Sequence, residues 1–407
     1  MDDPLRNPPT RLRWAIALAA AGAMAVSLFD RQVFGVLAPR FTSELHISNA
    51  SYGWLGAAFS WAYLLGSPVA GRLVDRVGAR RALLVSLVVW SGVAALHATA
   101  STFAALVVLR IALGLSESPS FPAAVQTVRR TLPDAQIARG VSFVFVGISI
   151  GSIAAVLFGT LLAARVGWRA AFVGTAAIAL LWVPLWRRLT AGQAARDILD
   201  RKTSEFQVPF SEVLRNRHVL RALIAVAAAG PVGTFADVWE AKYFADHLHV
   251  SELARGGYLI VGPICYDVGA LVFADTATRL KNRRTPFAIA ALIAGTAIIA
   301  LSLARTPLVA ALCLALHSLG RGGLFSLLLA EMVACIPVRV VSTAAGIIAG
   351  ARGLITAVVS TAIGHSLGHV GYPGVLLALG AWTLPGGLAW WLWCPRTDDA
   401  AIVRSRV

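Results

Sequence analysis

Charged side chains lie inside stretches that are otherwise long and apolar enough to cross a bilayer, and that conflict limits what this chain can become. Asp30 and Arg31 stand late in the first apolar run, and Arg110 and Glu117 stand in the fourth. A charge at membrane depth costs about 2.5–3.5 kcal/mol on insertion scales, so such residues face a protein interior or a water-filled cavity and find partners there. By default they mark the path of a substrate, an ion or a proton.

Composition sets the class. The chain has 407 residues, 57% hydrophobic and only 14% charged, where a soluble domain is about 25% charged. It reads as a polytopic membrane protein. The net charge of +16 is carried almost wholly by arginine, since only Lys202, Lys242 and Lys281 are lysines. These basic residues collect in short gaps between apolar runs, which is the positive-inside pattern of membrane proteins. A nucleic-acid binder would instead carry a basic face on a soluble module, so no nucleic-acid partner is expected. Cys265, Cys313, Cys335 and Cys394 are scattered through apolar runs without metal-ligand spacing, and read as small buried hydrophobes. No metal or cofactor is expected. The first run is too long for a cleavable leader and is followed by many more.

A span needs about 20 apolar residues. Twelve are expected, over residues 14–39, 51–74, 82–99, 103–128, 138–164, 168–187, 219–246, 256–275, 286–304, 308–336, 342–364 and 373–393. Basic residues cluster in alternate gaps, at Arg72–Arg81, Arg129–Arg139, 187–217 and 279–284. That asymmetry predicts both termini on the cytoplasmic side of a plasma membrane, with a bacterial inner membrane the natural setting. The fold class is therefore an all-α membrane protein with two six-helix halves, residues 1–187 and 219–407, joined by a polar cytoplasmic linker over 188–218. Phe210, Val213 and Leu214 suggest a short amphipathic helix within the linker. The halves repeat weakly. Gly71–Arg81 between spans two and three has a counterpart at Ala274–Arg284 between spans eight and nine, an acid followed by a basic cluster. Parallel halves with a site near the midplane are a transporter design.

Several local readings follow. Gly147 and Gly151 form a small-residue pair suited to close helix packing. Pro231 between Gly230 and Gly233 suggests a broken helix, a common device where a span lines a cavity. Trp390, Trp391 and Trp393 suggest an interfacial belt. His317 lies inside span ten, where packing outweighs titration. No H-E-x-x-H stretch occurs, and the G-x-S-x-G stretch Gly147–Gly151 lies inside an apolar span and not at a strand-to-helix turn, so an enzyme is not expected.

Twelve spans, the six-plus-six split and the loop Gly71-Arg72-Leu73-Val74-Asp75-Arg76-Val77-Gly78-Ala79-Arg80-Arg81 resemble the major facilitator superfamily. Ala79 stands where a basic residue is common, with Arg80 and Arg81 directly after it. Within the superfamily, the chain is most similar to the anion:cation symporters, which take up sugar acids and related organic anions with protons. Three stretches carry that likeness: the Asp30-Arg31 pair, the aromatic run Phe59-Ser60-Trp61-Ala62-Tyr63, and the span-four series Arg110, Gly114, Glu117, Pro119, Phe121 and Pro122. The family often has Tyr shortly before the acid–arginine pair, where this chain has Leu28-Phe29, and a polar residue in span eleven, where it has Arg352.

The charged residues then receive roles. Arg110 and Glu117 are seven positions apart, so they share one helix face about 10 Å apart along the axis. Asp30 and Arg110 fall at one depth on two helices, and an ion pair between them is expected, with Glu117 deeper and without a basic neighbour in its own turn. Asp30, Arg110 and Glu117 are the proton-coupling candidates. Arg31, Tyr63, Arg321 and Arg352 are the substrate candidates, because a guanidinium presents a fork suited to a carboxylate. Arg321 and Arg352 have Asp267 as an alternative partner. Gly71, Asp75, Arg76, Gly78 and Arg80 are expected to form a cytoplasmic gate. The expected function is proton-coupled symport of a small organic anion, such as a hexuronate or aldonate, by a monomer working through alternating access. Exchange of phosphorylated metabolites and drug efflux are the alternatives. The glycine–proline signature that proton antiporters of the superfamily often carry in span five is absent.

Overall fold

Three helix starts in this chain are capped by short polar residues. Ser48 accepts a bond from the Ser51 N–H, Thr102 from Ala105 and Asn216 from His218. Such caps satisfy donors that a helix start leaves without partners. The computed structural model describes residues 9–200, 210–280, 284–335 and 338–392, and almost all of these are helical. The chain divides into two compact units, Met1–Glu205 and Phe206–Val407.

The first unit runs α1 (Thr10–Glu44), α2 (Asn49–Val77), α3 (Ala79–Leu96), α4 (Phe103–Glu117), α5 (Ser120–Thr131), α6 (Asp134–Leu180), α7 (Trp182–Leu189) and α8 (Gln193–Leu199). The fourth span is therefore two helices, offset at Ser118-Pro119. α1 packs along α6, and the small-residue pair makes this possible. A Cβ on Gly147 would overlap the Ala21 carbonyl, and one on Gly151 the Ala25 carbonyl. Backbones this close leave no room for a side chain. Gly151→Val is expected to destabilise the unit by about 1–3 kcal/mol through overpacking, read as a lowered unfolding temperature in lipid nanodiscs. Ala195 and Leu199 of α8 belong to the same buried core as Leu83, Leu87 and Trp90 of α3.

The second unit runs α9 (Phe210–Leu214), α10 (Arg217–Thr234), α11 (Glu240–Lys242), α12 (Glu252–Leu259), α13 (Val261–Arg279), α14 (Arg284–Leu301), α15 (Pro307–Cys335) and α16 (Val338–Leu392). Turns of π-helix, Phe235–Trp239 and Tyr243–His247, flank α11. The break expected at Pro231 is absent, because α10 runs through it. Proline has no N–H to offer the carbonyl one turn back. Trp382 Nε1 donates to that carbonyl, of Ala227, at 3.0 Å instead. The winding changes four residues later. Trp390 corrects the interfacial-belt expectation. It is fully buried, stacked on Phe287 with ring centroids 3.5 Å apart and covered by the Arg221 guanidinium. Trp391 is exposed, and Trp393 lies outside the described residues, as do Cys394, Arg201, Lys202, Lys281 and Arg283.

Among the described residues, nine helical stretches are long and apolar enough to cross a membrane. Two of them are broken by glycines, Gly167 at φ 87° and Gly371 at φ 63°, a region where a Cβ is strained. Each arm of these broken stretches is itself of spanning length. With α2, which is more polar, they accommodate the twelve expected spans, six to a unit. Leu65, Leu181, Leu271 and Leu303 are largely exposed, as a lipid-facing surface requires.

Candidate functional site

Asp30 and Arg31 are consecutive on α1, so their side chains leave the helix about 100° apart. Only one of them can face α4. Arg31 does. Its Nη2 lies 3.1 Å from Glu117 Oε1, and Ser27, one turn earlier on the same face, donates its hydroxyl to that oxygen. The Arg31 guanidinium also lies over the rings of Phe59 and Tyr63 of α2, at 4.8 and 4.9 Å. The burial is lopsided: the Glu117 side chain is 1% exposed and that of Arg31 is 29% exposed. The buried Glu117 Oε2 and Arg31 Nε have no hydrogen-bond partner among the described residues.

Asp30 turns towards α3. Its Oδ2 accepts a bond from Trp90 Nε1 at 3.1 Å, beside the Thr175 hydroxyl of α6. The expected Asp30–Arg110 pair does not form. Arg110, 4% exposed, donates from Nε to the Leu55 carbonyl at 3.3 Å, and its guanidinium sits between the Phe34 and Phe59 rings at 4.1 and 4.4 Å. Desolvated cation–ring contacts of this kind are worth about 2 kcal/mol. Phe59 thus separates two arginines and touches both. Glu117 has no basic neighbour in its own turn, and Arg31 supplies one from another helix. The four ionisable groups of this cluster, two acids and two arginines, sum to zero when all are charged.

A second cluster lies in the other unit. Arg321 on α15 and Arg352 on α16 share one carboxylate, and it is Asp237 rather than Asp267. Arg321 Nη1 is 2.9 Å from Asp237 Oδ1, and Arg352 Nη2 is 2.9 Å from Asp237 Oδ2. Arg321 also donates to the Gly233 carbonyl at 3.1 Å and lies over the Tyr266 ring at 5.0 Å. Glu240, one turn beyond Asp237, is 8% exposed and has no ion-pair partner among the described residues. His317 is fully buried with Nδ1 3.2 Å from the Ala294 carbonyl.

Asp75 and Arg80, two of the expected gate residues, find their partners outside the Gly71–Arg81 loop. Asp75 accepts from Gln126 Nε2 at 2.8 Å, not from the neighbouring arginines. Arg80 donates from Nε and Nη2 to Asp200 Oδ2 at 2.9 and 2.5 Å. Arg81 lies 3.8 Å from the same oxygen. Gly78, at φ 86°, brings the loop so close that a Cβ would lie 2.5 Å from Asp200 Cα. Arg130 holds the Leu199 carbonyl at 2.7 Å. Arg76 is exposed, and space is open around Gly71. Arg80, Arg81, Gln193, Arg196, Asp197 and Asp200 line an open polar cleft of about 450 Å³. Asp200→Asn is expected to speed amide hydrogen exchange across residues 193–199, because the charge-assisted anchor is worth about 1.5–3 kcal/mol; unchanged exchange refutes the anchor.

Sequence reasoning missed Ser27, Trp90, Asp200 and Asp237 as partners. Ser27 was findable, four residues before Arg31 on one helix face. Trp90 and Asp200 carried no signal, because their partners are remote in sequence.

The Major Facilitator Superfamily profile matches residues 20–360. The chain is 23% identical to the D-galactonate transporter of Escherichia coli over 96% of its own length and 97% of that protein's. It is 27% identical to probable anion transporter 4, chloroplastic, of Oryza sativa, over 74% of this chain and 55% of that one. It is 30% identical to the hexuronate transporter of Escherichia coli strain K12, over 43% of this chain and 40% of that protein. Several matches thus span about half the length of the relative or less. Among solved structures, a bacterial homologue of the human lysosomal transporter Spinster, in an inward-facing and unoccupied conformation, matches with a TM-score of 0.77 at 17% identity, over 95% of this chain and 100% of that one. The fold, the profile and the relatives agree: this multi-pass membrane protein, a transporter and not an enzyme, belongs to the Major Facilitator Superfamily.

Proposed function

We propose that the chain carries small organic anions, sugar acids such as hexuronates or aldonates, together with protons, by alternating access. The observation that carries this reading is the Arg31–Glu117 pair, in which the arginine is partly exposed and its acid is not. An incoming carboxylate meets Arg31 first and competes with Glu117 for it. Glu117 left without its guanidinium is a buried, unpaired charge, which is strongly unfavourable. Taking up a proton relieves it. With all four groups charged the first cluster is neutral, and one monoanion with one proton leaves it so. Anion and proton binding are therefore mutually favourable, a reciprocal coupling that favours carrying both together. Asp30, also buried and hydrogen-bonded by a neutral indole, is a second acid for the same task. Arg110 holds the positive potential of the site against the Phe34 and Phe59 rings. Tyr63 backs the Arg31 guanidinium, and Gly71, Asp75, Arg76, Gly78 and Arg80 form the gate region. The relatives named as galactonate, hexuronate and anion transporters support the substrate class. We assign the protein to a bacterial inner membrane, with both termini cytoplasmic, and to a monomeric working state.

Phosphorylated-metabolite exchange is the weaker reading, because Arg31, Arg321 and Arg352 are each paired with a carboxylate. A dianionic phosphate would find one unbalanced positive charge among them, where Arg321 and Arg352 share Asp237. The test is uptake of labelled D-galactonate and D-glucuronate into proteoliposomes, with and without an inward proton gradient. A gradient of 1 pH unit supplies about 1.4 kcal/mol per proton, hence about tenfold accumulation at one proton per anion. Uptake that ignores the gradient refutes the coupling, and inhibition by phosphate esters but not by sugar acids transfers the protein to the alternative.

A further inference from the structure

Arg321 and Arg352 converge on one point, and a carboxylate of the chain itself occupies it. Asp237 gives one oxygen to each arginine, both at 2.9 Å. A soluble carboxylate bridging two guanidiniums would adopt the same arrangement. The two arginines differ. Arg321 is fixed by the Gly233 carbonyl and the Tyr266 ring, and its side chain is 19% exposed. The Arg352 side chain is 54% exposed, and its contact with Asp237 is its one ion pair among the described residues. Asp237 sits in a π-helical turn, a winding less regular than the α-helix and frequent at functional sites. The triad carries two cations against one acid, with the buried Glu240 one turn beyond Asp237. A guanidinium does not give up its proton, so the site can be vacated only by moving or neutralising the carboxylate.

We infer that Arg321 and Arg352 form a carboxylate-binding subsite and that Asp237 is a tethered occupant of it, which a substrate carboxylate must displace. This deepens the organic-anion reading and rests on it for the identity of the ligand. A tethered competitor acts at an effective concentration in the millimolar range or above. It therefore weakens anion binding and keeps the arginines neutralised when no substrate is present. Asp237 is in this view a specificity device: it admits anions that bridge both arginines and rejects those that engage only one.

The test uses the full-length protein in lipid nanodiscs and phenylglyoxal, an arginine-selective dicarbonyl, with modification mapped by mass spectrometry. Asp237→Asn is expected to speed modification of Arg352 and Arg321 by at least about tenfold, the gain from removing a tethered competitor. Acetate or D-galactonate should restore the slow rate in the variant. Asp237→Ser removes the same charge and keeps the measurement available should the amide fold poorly, while Asp237→Glu should stay slow. Unchanged reactivity in the folded charge-removing variant, or faster reaction that no carboxylate slows, overturns the inference. The readout needs no transport, so it is decided separately from the uptake assay. Uptake of sugar acids with unchanged arginine reactivity would retain the proposed function and discard the subsite; exposed, carboxylate-protected arginines without sugar-acid uptake would do the reverse.

Discussion

Glu117→Gln is expected to abolish gradient-driven accumulation while leaving exchange of the anion across the membrane partly intact. Glutamine is close in shape to a protonated glutamate and still accepts the Ser27 hydroxyl bond, but it cannot release a proton. The variant therefore resembles the proton-loaded carrier permanently. Arg31, no longer held by a buried carboxylate, stays available to the substrate. Binding should persist, and loaded carriers should still change conformation. What is lost is the return path, in which the empty carrier must re-form the Arg31–Glu117 pair. At an imposed gradient of 1 pH unit, accumulation should fall from about tenfold to none, with counterflow of preloaded D-galactonate retained. Accumulation equal to that of the unmodified protein would remove Glu117 from coupling and leave Asp30 as the proton carrier.

Arg31→Gln should have the other large effect, on stability and binding together. Removing one member of a buried ion pair strands its partner, at a cost of about 3–5 kcal/mol. Glu117 is 1% exposed and would retain only the Ser27 bond, so the chain should unfold at markedly lower temperature or denaturant concentration. Adding Glu117→Gln removes the stranded charge, and the double variant should recover most of that stability. It should not recover anion binding. Truncating a charged partner in a recognition contact costs about 2–5 kcal/mol, at least a thirtyfold loss of affinity for D-galactonate by isothermal titration. A double variant no more stable than Arg31→Gln alone would show that the two side chains are not energetically coupled.

Much of this architecture could be read before any coordinates. The spans were legible because apolar length is a property of the local sequence and lipid imposes it everywhere along the chain. The close packing at Gly147 and Gly151 was legible for the same reason, since two small residues one turn apart can mean little else in a membrane helix. The Pro231 break failed because Trp382, remote in sequence, supplies the donor that proline lacks. Trp390 was misjudged because its proximity to the end of a span suggested an interface, while Phe287 and Arg221 bury it.

The sequence by itself singled out residues that need partners in the folded chain. Asp30, Arg31, Arg110, Glu117, Arg321 and Arg352 are ionised groups in apolar runs, and lipid does not tolerate them without partners. It could not settle who partners whom. Depth along a helix follows from residue counting, which is why Asp30 and Arg110 looked like a pair. Azimuth follows from how helices are rotated against their neighbours, and that is decided by side-chain packing over the whole unit. A rotation of about 100°, one residue, exchanges Asp30 for Arg31 on the face towards α4. The tertiary structure made that choice, joining Arg31 to Glu117 and both second-unit arginines to Asp237.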